Sequence, residues 1–153
     1  MNKGSAKPDD AATVRVSRRF EARAERVFDA WLSPAMIGRF MFGPTLRDEE
    51  VLRIEVDARV GGAFSFLVRR QGQEIDHVGH YLEIERPRRL SFTWGIAGES
   101  DEQSQVDIEI TGLTAGCELV LVHRMDPQWA SFADRVRTGW STMLDALPRA
   151  LVE

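Results

Sequence analysis

Three histidines, one cysteine and a same-face Asp–Arg couple are the side chains in this sequence best suited to chemistry. His77 and His80 stand three apart in a run that alternates like a strand. They therefore point to opposite faces and cannot hold one metal ion between them. Cys117 is the sole cysteine, so no intramolecular disulfide forms, and in a strand pattern it reads as a small buried apolar residue. Ligand-type residues scattered in this way do not make a metal site. The expectation is no metal and no cofactor. HExxH, GxSxG, Walker and CxxC patterns are absent, so no catalytic residue is assigned. Asp57 and Arg59 read as an exposed ion pair of little energetic consequence, a catalytic couple being the remote alternative.

His123 carries more information. It shares a strand phase with Leu119 and Leu121, which puts an imidazole at the end of an apolar stripe. One reading is a core histidine bonded to a backbone carbonyl, the commoner role of a buried polar group. The other is a polar anchor in a ligand cavity. The aromatic set raises the same question: Trp31, Phe40, Phe64, Phe66, Tyr81, Trp94 and Trp140, with Phe92 a less secure member. Such residues are normally core. Tryptophan and tyrosine also bring a polar handle to an apolar wall, a combination that orients apolar ligands. With His80, His123, Val136 and Met143 these residues, Phe92 excepted, form the candidate ligand-binding set. In the strand over 75–85 the phase is ambiguous. Leu82 and Ile84 put His80 inside, whereas Tyr81 puts His77 inside, and a bulge at Gly79 would reconcile them.

The elements that must position these groups follow from periodicity. MNKGSAKPDDAA (1–12) is small, polar and aperiodic, a loose N-terminal tail ahead of one domain over 13–153. Val14, Val16 and Phe20 mark a strand with an irregular step across Ser17–Arg19. Val27, Phe28, Trp31 and Leu32 have helical spacing, and Pro34 favours a helix end or turn. Met36–Phe42 reads as a second short helix closed by Gly43-Pro44. Strands are predicted over 51–60, 63–70, 75–85, 90–96, 105–111 and 118–125, close enough to pair as an antiparallel meander. Gly61-Gly62 is expected to make a tight hairpin turn. Phe132, Val136, Trp140, Met143, Leu144, Leu147 and Leu151 line one face of a long C-terminal helix, with a kink or fray near Pro148. Only the meander is large enough to cover that face. The fold class is therefore α+β, a curved antiparallel sheet against a long helix.

The order of elements, together with ARAERVFDAWLSP (22–34), RFMFGP (39–44), DARVGGAFSF (57–66), GHYLEIERPRRLSFTW (79–94), LVLVH (119–123) and GWSTMLDAL (139–147), resembles the helix-grip proteins of the START-like superfamily, also called SRPBCC. More closely it is similar to bacterial single-domain proteins related to the C-terminal domain of activators of the heat-shock-protein-90 ATPase. The resemblance spans about residues 13–150. It implies six to seven strands wrapped around the helix and a cavity between them. It does not select a function, because fold alone does not.

Composition narrows the partners. At 153 residues and 43% hydrophobic content the chain can bury a core without a staple. A net charge of −4 disfavours a nucleic-acid partner. Of the 20 cationic residues only Lys3 and Lys7 are lysine, a bias better ascribed to coding composition than to binding. The acidic runs Asp48–Glu50 and Glu99–Glu102 read as solvated loops. No stretch approaches the roughly 18 apolar residues of a membrane span, and the N-terminal residues lack the apolar h-region of a signal peptide, so a cytoplasmic location is expected. Three functions fit: a carrier of a small hydrophobic molecule without chemistry of its own, a cyclase or aromatase using one inward histidine, and a protein-interaction module. The heat-shock activators work through an additional N-terminal domain, for which this length leaves no room. A homodimer through a sheet edge or the helix is compatible with the pattern and specified by nothing in it.

Overall fold

The computed structural model describes residues 12–99 and 104–152. β1 (Thr13–Phe20) leads into two short helices, α1 (Ala24–Ala30) and α2 (Pro34–Phe40). Six strands follow: β2 (Glu50–Val56), β3 (Ala63–Arg70), β4 (Gln73–Glu85), β5 (Arg89–Ile96), β6 (Ser104–Gly112) and β7 (Cys117–Arg124). A 3-10 turn at Pro127–Phe132 then enters α3 (Ala133–Val152). All strands pair antiparallel in the order β1-β7-β6-β5-β4-β3-β2. This is the α+β helix-grip architecture implied by the element order. The expected tail lies outside the described residues over 1–11. Ala12 is already packed, its carbonyl accepting from Met125 N at 3.0 Å.

Local chemistry explains the departures from expectation. Pro34 starts α2 rather than ending α1. Its ring fits the first helical position, and the Ser33 hydroxyl caps Met36 N at 3.3 Å. The step at Ser17–Arg19 is not a bulge, since β1 pairs with β7 in unbroken register. Arg18 keeps the inward phase and reaches Asp145 on α3 at 2.8 Å. The hairpin after β2 is looser than two glycines suggested. β2 stops at Val56, and Asp57–Gly62 form a loop in which Val60 is 61% exposed. Gly61 has φ +85°, and a Cβ on Gly62 would sit 2.1 Å from the Asp57 carbonyl oxygen. The loop binds β4 through Gly61 N to Tyr81 O (2.8 Å) and Tyr81 N to Gly62 O (3.0 Å). Phe132 is not on the buried helix face. It sits in the 3-10 turn, exposed and 5.4 Å from the Trp129 ring.

β4 resolves its ambiguity in favour of Tyr81. His77, Gly79 and Tyr81 are buried and alternate with less buried neighbours. The register shift against β5 falls between Tyr81 and Glu83, not at Gly79. Beyond it Ile84 can return to the inner face although Leu82 is exposed. Glu49 is a further correction. It is no solvated loop residue but a buried carboxylate accepting from Gly43 N (2.8 Å), Arg47 Nη1 (2.9 Å) and Arg70 Nη2 (2.7 Å). Of the second acidic run only Glu99 falls among the described residues, where it is exposed.

Candidate functional site

The backbone of α3 comes closest to β1 and α2, at one side of the sheet. Over β3, β4 and β5 the interior is filled mainly by rings instead. Phe64 stacks on Phe66 at 4.7 Å and meets Phe92 edge-on at 5.6 Å, with Tyr81 at 5.4 Å. Trp94 links this group to Trp140 of α3 at 5.4 Å, and Trp140 lies 6.2 Å from Trp31 after α1. Phe40 of α2 backs Trp31 edge-on at 5.1 Å. Strand alternation places these rings: Phe64 and Phe66, Phe92 and Trp94 are i, i+2 pairs on one face. A void of about 10 Å³ remains among Trp31, Met41, Phe64, Phe66, Tyr81 and Phe92.

Two histidines border the layer, and both are neutral. Trp140 Nε1 donates to His123 Nδ1 at 3.0 Å. An indole nitrogen can only donate, so Nδ1 must be the unprotonated nitrogen. Nε2 then carries the hydrogen and donates to Ser104 Oγ at 2.8 Å, which in turn donates to Trp94 O at 2.7 Å. Burial pushes the His123 pKa down to about 4. His77 Nδ1 donates to Phe66 O at 3.0 Å, and its ring lies 4.8 Å from Phe42 and 5.5 Å from Trp94. Burial lowers its pKa as well. Tyr81 is held as the phenol, raised first by burial and then by the charge of Asp57.

The structure distributes the candidate residues unevenly. Trp31, Phe64, Phe66 and Tyr81 wall the void, and Trp94 and Trp140 stack against that group. Met143 is buried on α3 and Val136 half-buried, neither at the void. His80 alternates with the inward Gly79 and Tyr81, so its side chain projects from the other face, a correction set by the Tyr81 phase. Met41 and Phe92 wall the void yet stand outside the candidate ligand-binding set, Phe92 being only the less secure member of the aromatic group. RFMFGP offers little strand or helix phase from which Met41 could be read. Asp57 and Arg59 form the exposed pair expected, at 2.9 Å. No cluster of three or more His, Cys, Asp or Glu side chains able to hold a metal occurs among the described residues. No helix among them is long and apolar enough to cross a membrane.

Residues 21–152 match the family model described as Activator of Hsp90 ATPase homolog 1-like protein. No protein of curated function matches the chain in sequence. Among solved structures, a protein from Chromobacterium violaceum is 26% identical with a TM-score of 0.78, covering 92% of this chain and 96% of that one. An AHSA1-like protein from Aeromonas hydrophila is 23% identical, TM-score 0.75, covering 91% of each chain. One from Rhodobacter sphaeroides is 19% identical, TM-score 0.81, covering 95% of each. The last two are likenesses of fold.

Proposed function

The chain belongs to the Activator of Hsp90 ATPase homolog 1-like family, and from that premise we propose that it binds one small, uncharged apolar or aromatic molecule between the sheet and α3, without chemistry of its own. The observation that carries this reading is the aromatic layer. Rings from α2, β3, β4, β5, α3 and the α1–α2 link converge where the α3 backbone stands off the sheet. A layer of flat, stiff plates offers stacking surfaces to a planar guest. Neutral His77, His123 and Tyr81 supply no charge to pair with an ionic ligand, and an unpaired buried charge is costly.

A cyclase-like reading draws less support. It needs an inward acid or base, and both His123 nitrogens already have protein partners while His77 commits its Nδ1–H to Phe66 O. Native mass spectrometry of protein purified from its own host, followed by denaturation, tests the binding reading. A stoichiometric neutral molecule released from the folded chain is expected. A bare chain mass, with no melting-temperature shift across a panel of neutral aromatic compounds, would falsify it.

A further inference from the structure

We infer that Trp31 Nε1–H is the group that selects the ligand, and that the ligand class is a neutral aromatic molecule bearing an acceptor oxygen, such as a ketone, aldehyde or lactone carbonyl. This rests on the ligand-binding reading above and specifies it. Trp31 is 3% exposed, and its Nε1 has no hydrogen-bond partner. Ser91 Oγ, the other buried side-chain atom without a partner within strict hydrogen-bond geometry among the described residues, lies on the opposite phase of β5 from Phe92, across from the Asp107 carboxylate to which it can donate. Leaving a buried donor unsatisfied forfeits the hydrogen bond it made to water, so folded proteins rarely do it. Trp140, in the same cluster, has its acceptor in His123. Trp31 has no such acceptor.

The space that Trp31 borders sets what could satisfy that donor. Trp31 walls the void of about 10 Å³ together with Met41, Phe64, Phe66, Tyr81 and Phe92. That is about the least volume a water needs, and a water also requires roughly two to four polar partners. Apart from Trp31 only Tyr81 brings a strong hydrogen-bonding side chain to the walls, so a lone water would have at most two side-chain partners, the bottom of that range. A guest carrying its own acceptor on a flat apolar body satisfies the indole and keeps the other walls dry. The acceptor is an uncharged oxygen because nothing around it balances an anion. Met41, unbranched and adaptable, is the wall most easily displaced to admit a ring.

The test pairs 1-indanone with indane, which differ by a carbonyl in place of a methylene, against the wild-type chain and Trp31→Phe. That substitution keeps an aromatic face and removes the N–H. The ratio of indanone to indane affinity should fall about three- to tenfold from wild type to Trp31→Phe. In the wild type the Trp31 indole N–H resonance should move downfield with indanone and not with indane, a readout that does not depend on the variant folding. An unchanged ratio with an unmoved resonance overturns the role of Trp31 and leaves ligand binding intact. A long-lived water contact at Trp31 Nε1 that persists with indanone bound also overturns it. Binding of neither probe up to its solubility overturns both readings together.

Discussion

The interior of this protein has two halves built from different materials. Under β1, β6 and β7 the core is largely aliphatic: Val14, Val16, Ile108, Ile110, Leu119 and Leu121, joined by Leu144 and Leu147 of α3, all at most 5% exposed. Under β3, β4 and β5 it is mainly aromatic, retains a void and holds an indole N–H without an acceptor. Branched aliphatics interlock at close to crystal density and bring no polar group into the core. Rings carry more area each, but they tile less adaptably, and tryptophan and tyrosine bring donors that must be answered. Trp140 is answered by His123 across the boundary between the halves, and Trp31 is not. The aliphatic half holds the grip. The aromatic half is where a guest has something to gain.

That contrast can be broken by experiment, most strongly in the aliphatic half. Leu121→Ala should lower unfolding free energy by about 4 kcal/mol, since truncating a fully buried leucine leaves a cavity that its neighbours close only in part. Phe92→Leu at the void should cost about 1 kcal/mol by the same urea melts. Equal losses would erase the distinction. Next comes the clasp on the loop bearing Phe42. Glu49→Ala strands Gly43 N and two arginines and should cost about 3 kcal/mol, tempered because Arg47 and Arg70 keep some access to water.

The third prediction concerns the boundary histidine. Unfolded, His123 takes up a proton near pH 6.5, and folded only near pH 4, because burial disfavours the charge. Between those values the unfolded chain binds more protons, so stability is complete above 6.5 and falls as pH drops toward 4. The loss from His123 is on the order of 3 kcal/mol, and His77 adds in the same direction. Denaturant melts from pH 7 to 4 read the slope, and His123→Gln should flatten it. A wild-type slope of zero in that window would mean that the imidazole is not buried as described. The smallest effect is at Tyr81, where losing the hydroxyl leaves the ring's contacts with Phe64 and Phe92 in place. Tyr81→Phe should change stability by less than about 0.5 kcal/mol in thermal melts. A larger loss would place a structural hydrogen bond in the aromatic half and blur its contrast with the aliphatic one.

Much of this was legible in the chain itself. β3 runs over Ala63–Arg70 as alternation predicted, and Trp140, Met143, Leu144 and Leu147 form a buried α3 face as their spacing predicted. Those features are local, since a strand's phase and a helix's stripe are written within a few residues. Element ends were less legible. Phe132 matched the helical stripe yet lies in a 3-10 turn, because Pro127 and the Asp126 cap, whose carboxylate accepts from Gln128 N at 3.0 Å, organise that segment.

By itself, then, the sequence determined the order of elements, the inward aromatic phase of β3 and β5, and the absence of catalytic patterns. Tertiary structure alone decided that His77 rather than His80 turns inward and that Glu49 is buried among arginines. It also gave Trp140 an acceptor while leaving Trp31 without one. Local pattern constrains which face a side chain takes. Whether a buried donor finds an acceptor depends on groups distant in sequence, here 17 residues from Trp140 to His123, and on the register that brings them within 3.0 Å.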